Sequence, residues 1–107
     1  MPYDEKLAIR MHNALQDKPG FSEKKMFGGI CYFLNGNMLC GVEVGRYMFR
    51  VGKDQQQKAE QQGAEVMEFN GRQMGGLVWV DAELCKGAKL KKWINLTEKF
   101  VAALPSK

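Results

Sequence analysis

The sequence holds a single histidine in 107 residues, and no cysteine or second histidine stands at ligand spacing from it. A zinc site is therefore not expected, and His12 reads as a solvated surface side chain. No apolar run approaches the roughly 20 residues that cross a bilayer, and no charged-then-apolar leader with a cleavage site opens the chain. A soluble, cytoplasmic protein without a membrane partner is expected. The cysteines number three, an odd count with no export signal, which argues against a disulfide framework. Phosphate-loop patterns are missing as well. Gly28-Gly29 is followed by a strand pattern where such loops require a helix, and it reads as a bulge or a close backbone approach. No Ser-His-Asp or Cys-His set stands in context, and Glu65, Glu68, Asp81 and Glu83 read as solvent-facing carboxylates. Neither an enzyme nor a cofactor is expected.

What the sequence does contain is centred on residues 25–51, KMFGGICYFLNGNMLCGVEVGRYMFRV. Asn35-Gly36 between two apolar runs marks a two-residue hairpin, because a type I′ turn needs positive φ at both central positions. Counting back from that turn sets Leu34 opposite Asn37, Phe33 opposite Met38 and Cys31 opposite Cys40. A second corner at Gly45-Arg46 sets Val44 against Tyr47, Val42 against Phe49 and Cys40 beside Val51. The stretch is thus predicted as a three-stranded antiparallel meander. One face carries Cys31, Phe33, Met38, Cys40, Val42, Val44, Tyr47, Phe49 and Val51. The other mixes Ile30, Tyr32 and Leu39 with Gly41, Glu43, Met48 and Arg50. As cross-strand neighbours, Cys31 and Cys40 read either as small core hydrophobes or as a redox pair.

Periodicity supplies the remaining elements. Residues 3–18 predict a helix with Tyr3, Leu7, Met11, Ala14 and Leu15 on one face, followed by a short loop from Phe21 to Lys24. Residues 54–62 predict a short, glutamine-rich surface helix capped by Asp54. Residues 64–80 predict a second hairpin turning at Asn70-Gly71, with Met67, Phe69, Met74, Val78 and Val80 facing the core and a bulge at Gly75-Gly76. Residues 86–104 predict a terminal helix that packs Leu90, Trp93, Ile94, Thr97, Phe100, Val101 and Leu104 on the sheet, ended by Pro105. Lys86, Lys89, Lys91 and Lys92 crowd its start and read as a solvated face. The chain is predicted as one domain, residues 1–107, of α+β class: a five-stranded antiparallel sheet, meander plus hairpin, flanked by N- and C-terminal helices.

Met26-Phe27-Gly28-Gly29, Asn35-Gly36, Gly41-Val42, Arg50-Val51, Gly63-Ala64, Gly71-Arg72 with Met74, and the tail from Trp93 through Phe100-Val101 to Leu104-Pro105 occur in that order. In this the chain resembles the TfoX/Sxy N-terminal domain family across nearly its whole length. The resemblance implies a fold similar to secretion chaperones, a bacterial cytoplasmic setting and no catalytic residues. It also implies a role in transcription regulation like that of natural-competence (DNA transformation) regulators, which act with the cyclic-AMP receptor protein at promoters. Those regulators carry a further C-terminal domain, and residues 54–62 are richer in glutamine than the apolar helix the resemblance implies there.

The expected function is therefore a non-enzymatic regulatory or protein-interaction module. The alternative is a nucleic-acid-binding accessory protein, since the net charge is +4 and Lys24, Lys25, Arg46, Arg50 and Arg72 offer a candidate partner or phosphate surface. A homodimer is expected if both strong helices cover one face of the sheet and leave the other bare.

Overall fold

The computed structural model describes residues 4–26, 29–69 and 71–105. Expectations resting on Tyr3, Phe27, Gly28 and Asn70, and on the side chains of Met26, Phe69, Arg72, Gln73 and Met74, lie outside the described residues. In chain order the elements are α1 (Glu5–Leu15), β1 (Phe21–Met26), β2 (Gly29–Leu34), β3 (Asn37–Val42), β4 (Arg46–Arg50), α2 (Lys53–Gln61), β5 (Glu65–Phe69), β6 (Arg72–Asp81), a 3-10 turn (Ala82–Leu84) and α3 (Ala88–Val101). The strands form one antiparallel sheet in the order β1-β2-β3-β4-β6-β5.

The sheet has six strands where the sequence predicts five. The extra one is β1, read from sequence as a loop because Ser22, Glu23, Lys24 and Lys25 lack apolar alternation. It pairs with β2 along its full length, Phe21 opposite Leu34 through Met26 opposite Gly29. A charged, exposed edge strand of this kind resists pairing with further chains.

Asn35 and Gly36 both take positive φ, and Leu34 faces Asn37 and Phe33 faces Met38 as the turn dictates. One residue further the register slips. Tyr32 pairs with Cys40, Cys31 with Gly41 and Ile30 with Val42, so Leu39 is an extra residue on β3. A bulge of this kind leaves one residue unpaired and inverts the facing of everything beyond it on the partner strand. Tyr32 and Leu39 are consequently fully buried, against the sequence expectation, while Phe33 and Met38 are only half-buried. The second corner also differs. Its loop is Val44-Gly45, with the Glu43 amide donating to the Arg46 carbonyl at 3.1 Å. Val42 then faces Tyr47 and Cys40 faces Phe49. This shift of two preserves parity, so Val42, Tyr47, Phe49 and Val51 remain in the core while Val44 is 65% exposed.

Asp4 caps α1 by accepting from the Lys6 amide at 3.0 Å. The helix stops three residues short of the predicted Lys18, whose position before Pro19 disfavours helical backbone. Leu7, Ala8, Met11 and Leu15 are buried and Ala14 is exposed. The helix docks on the sheet through two tyrosines, for the Tyr32 hydroxyl donates to the Ala8 carbonyl at 3.0 Å and that of Tyr47 to the Leu7 carbonyl at 2.7 Å. The α3 helix lies on the same face. Trp93 stacks on Phe49 with ring centroids 5.7 Å apart, and Leu90, Ile94, Leu96, Thr97 and Val101 complete the stripe.

Two anchors fix its far end: Thr97 Oγ1 lies 2.9 Å from the Leu39 carbonyl and also reaches the Arg50 carbonyl, and Asn37 Nδ2 donates to the Pro105 carbonyl at 2.8 Å. The Leu39 carbonyl is thus met by a helix where the bulge interrupts the ladder.

Gly52, not Asp54, precedes the first residue of α2. Its glutamines tie it down: Gln55 Nε2 donates to the carbonyls of Val51 and Leu96, each at 2.9 Å, and Gln56 Oε1 accepts from the Gly76 amide at 2.9 Å. The predicted bulge at Gly75-Gly76 is present as a break in the β5–β6 register. Gly76 has φ +84, and a Cβ there would sit 2.9 Å from Gly52 Cα. Only glycine tolerates both. Of the predicted hairpin core, Val78 and Val80 are fully buried and Met67 is half-buried. Among the described residues no helix is long and apolar enough to cross a membrane.

Candidate interaction surface

With α1 and α3 both on the Tyr32–Tyr47–Phe49 side, the opposite face of the sheet receives a continuous row of residues. The register aligns Lys24 of β1 with Cys31, Cys31 with Gly41, Gly41 with Met48, Met48 with Trp79, and Trp79 with Glu65 of β5. A Cβ on Gly41 would lie 3.2 Å from Met48 Cε and 3.6 Å from Cys31 Sγ, which places both side chains on this face. Phe33, Met38, Leu77 and Trp79 are half-buried around it, and Cys31 and Met48 fill its floor. No hydrogen bond or ring contact among the described residues ties this row to a helix.

Charges frame the apolar centre. The Arg46 guanidinium lies 3.8 Å from the Trp79 ring centroid and pairs with Glu43, with Asp81 directly across the strand pair. This combined cation–π and ion-pair contact holds Arg46 over the tryptophan. At the opposite end Arg50 sits 5.5 Å over the Phe100 ring, beside a cleft of about 550 Å³ lined by Met38, Lys53, Asp54 and Leu77.

Of the four described cation side chains proposed from sequence as a partner or phosphate surface, Lys24, Arg46 and Arg50 lie on the open face at separate points and Lys25 lies on the other. Lys24 and Lys25 are exposed neighbours on an edge strand and point to opposite faces, since Lys24 pairs with Cys31 on the open side and Lys25 with Ile30 on the helix side. Arg46 and Arg50 are engaged with side chains of this chain, and the Arg72 side chain lies outside the described residues. His12 is partnered, its Nδ1 lying 2.9 Å from Glu23 Oε1 and its ring edge-on to Phe21.

The expectation that Cys31 and Cys40 stand opposite each other is corrected by the bulge. They pair with Gly41 and Tyr32 respectively, so Cys31 faces the open side and Cys40 the core. All three cysteines are free and buried. Burial pushes the Cys31 thiol up, and it pushes Cys40 well up, aided by repulsion from the other two thiols. Cys85 is raised to about 12 by burial, opposed by the Arg10 guanidinium. Tyr47 is likewise raised to about 12, chiefly by burial. No group of described residues could hold a metal ion.

Sequence reasoning anticipated a bare face carrying Gly41, Glu43, Met48 and Arg50, but counting without the bulge placed Ile30, Tyr32 and Leu39 on it and assigned Phe33 and Met38 to the core. The signals that pointed to it were the Glu43, Met48 and Arg50 alternation and the isolated Trp79 between two core valines. A family model described as the TfoX N-terminal domain matches residues 4–101, and the chain belongs to that family. No curated protein and no solved structure matches it.

Proposed function

We propose that this member of the TfoX N-terminal domain family is a non-enzymatic, competence-related regulatory module of the cytoplasm. It acts by binding protein through the open face of its sheet. The observation that carries the reading is that face: Phe33, Met38, Leu77 and Trp79 lie half-buried there while α1 and α3 both dock on the other side. An apolar patch rimmed by charges is what protein-binding surfaces look like. The thiols support a non-catalytic reading, since raised values keep them neutral and weakly nucleophilic at physiological pH. Three unpaired cysteines suit a reducing cytoplasm.

The test is a titration of the labelled chain with purified cyclic-AMP receptor protein, the partner that the family resemblance suggests, beside heparin retention at rising salt. Saturable binding that weakens in Trp79→Ala, with little heparin retention, is expected. Counterion release makes phosphate binding steeply salt-dependent. Steep, salt-sensitive heparin retention without receptor binding would overturn the reading in favour of nucleic-acid binding.

A further inference from the structure

We infer that the open face is closed by a second copy of this chain, across a two-fold axis that lies between the sheets and runs parallel to the strands. The inference rests on the reading of this face as protein-binding and names its occupant in the free protein, which a receptor bound through Trp79 has to displace.

Charge is the ground for choosing a second copy. The row from Lys24 through Cys31, Gly41, Met48 and Trp79 to Glu65 crosses all six strands, positive at one edge, apolar in the middle and negative at the other. Five strand spacings make it about 24 Å long. Both end residues are exposed. Neither forms an ion pair among the described residues, although Glu43, Glu83, Glu23 and Glu98 all do. A two-fold axis parallel to the strands reverses the row while keeping the strand ends together. It sets Lys24 of each copy against the partner's Glu65.

Stacked sheets lie about 10 Å apart, a gap that a lysine and a glutamate reaching toward each other can bridge. The same operation lays β4 over the partner's β3, which brings Arg46 to the end of the partner's β3 where Glu43 follows. An axis along the row would instead oppose Lys24 to Lys24 and Glu65 to Glu65.

The described side chains of the face carry Lys24, Arg46 and Arg50 against Glu43, Glu65 and Asp81. They balance, although the chain as a whole carries +4. A face whose described charges balance and complement themselves suits a like copy better than a polyanion. Gly41 at its centre removes a side chain where the two sheets approach most closely.

Sedimentation equilibrium at micromolar concentration tests this on the full chain. The expected species has twice the 12.1 kDa chain mass. Lys24→Glu and Glu65→Lys, both at exposed edge positions, should each weaken dimerisation about tenfold, because each turns two attractive contacts repulsive. The double reversal Lys24→Glu with Glu65→Lys should restore it. Restoration reports direct pairing, which a merely structural effect would not produce.

A wild-type chain that stays at 12.1 kDa overturns the inference, as does a dimer indifferent to the single reversals, or one that the double reversal does not rescue. A monomer that still binds the receptor protein through Trp79 would overturn only the dimer and leave the functional reading standing.

Discussion

The hydroxyl of Tyr47 donates to the main-chain carbonyl of Leu7 at 2.7 Å, 40 residues away in sequence and fully buried. With Tyr32 on the adjacent Ala8 carbonyl, it gives α1 two polar anchors on the sheet. Each uses a second lone pair of a helical carbonyl, so neither the helix nor the phenol is left unsatisfied. Tyr47→Phe should lower stability by about 0.5–1.5 kcal/mol, the net worth of an ordinary hydrogen bond. Chemical denaturation measures it, and amide exchange should speed up in α1 before α3. No loss of stability would mean that the α1 docking rests on apolar contact alone.

Phe49 lies between Tyr47 and Trp93, fully buried. Truncation to alanine removes ring contacts on two sides, and the rigid sheet cannot collapse into the space. Phe49→Ala should cost about 3–5 kcal/mol in urea unfolding. A loss below about 1 kcal/mol would contradict its place in the core.

Gly76 accepts from the amides of Val51 and Gly52 at 2.8 and 3.2 Å while holding φ +84. Any Cβ there meets the Gly52 backbone, not a movable side chain. Gly76→Ala should therefore destabilise by more than about 1 kcal/mol. Gly71→Ala, which strains φ but meets nothing within 4 Å, should cost less. Equal thermal shifts for the two would show that the close approach contributes nothing.

Alkaline pH should unfold the protein early. Cys85 and Tyr47 start from ordinary values of 9.0 and 10.0 and are raised to about 12 in the folded chain. The unfolded state therefore loses these protons first. Stability from both groups is fully present below pH 9 and falls as pH rises toward 12. The melting temperature should decline across that window, and Cys85→Ala should flatten its onset. An unchanged slope in that variant would show that Cys85 does not contribute.

Cys31 and Cys40 sit on opposite faces of the sheet, so mild oxidation of the native protein should not link them. A disulfide needs Cβ atoms about 3.5–4.5 Å apart and pointing together. Mass mapping that recovers a Cys31–Cys40 bridge under native conditions would contradict the bulge at Leu39.

Much of the architecture was legible in the sequence because it rests on local chemistry. The Asn35-Gly36 turn, the stripes of α1 and α3, the polar α2 and the Gly75-Gly76 break each follow from backbone freedom or helical periodicity within a few residues. The β1 strand was not legible, for its Ser22-Glu23-Lys24-Lys25 run is held by pairing to β2 and not by an apolar face of its own. The bulge at Leu39 was not legible either. No glycine or turn residue stands at it; what accompanies it is distant in sequence, the Thr97 hydroxyl meeting the Leu39 carbonyl and the core enclosing the Leu39 side chain. That one residue exchanged Tyr32 for Cys31 in the core and assembled the row from Lys24 to Glu65. The Asn35-Gly36 turn and most of each helix stripe depend on nearest neighbours in the chain and were set by sequence alone, whereas the second corner closed at Val44-Gly45. Which side of the sheet each strand presents was decided only when strands and helices far apart in sequence came into contact.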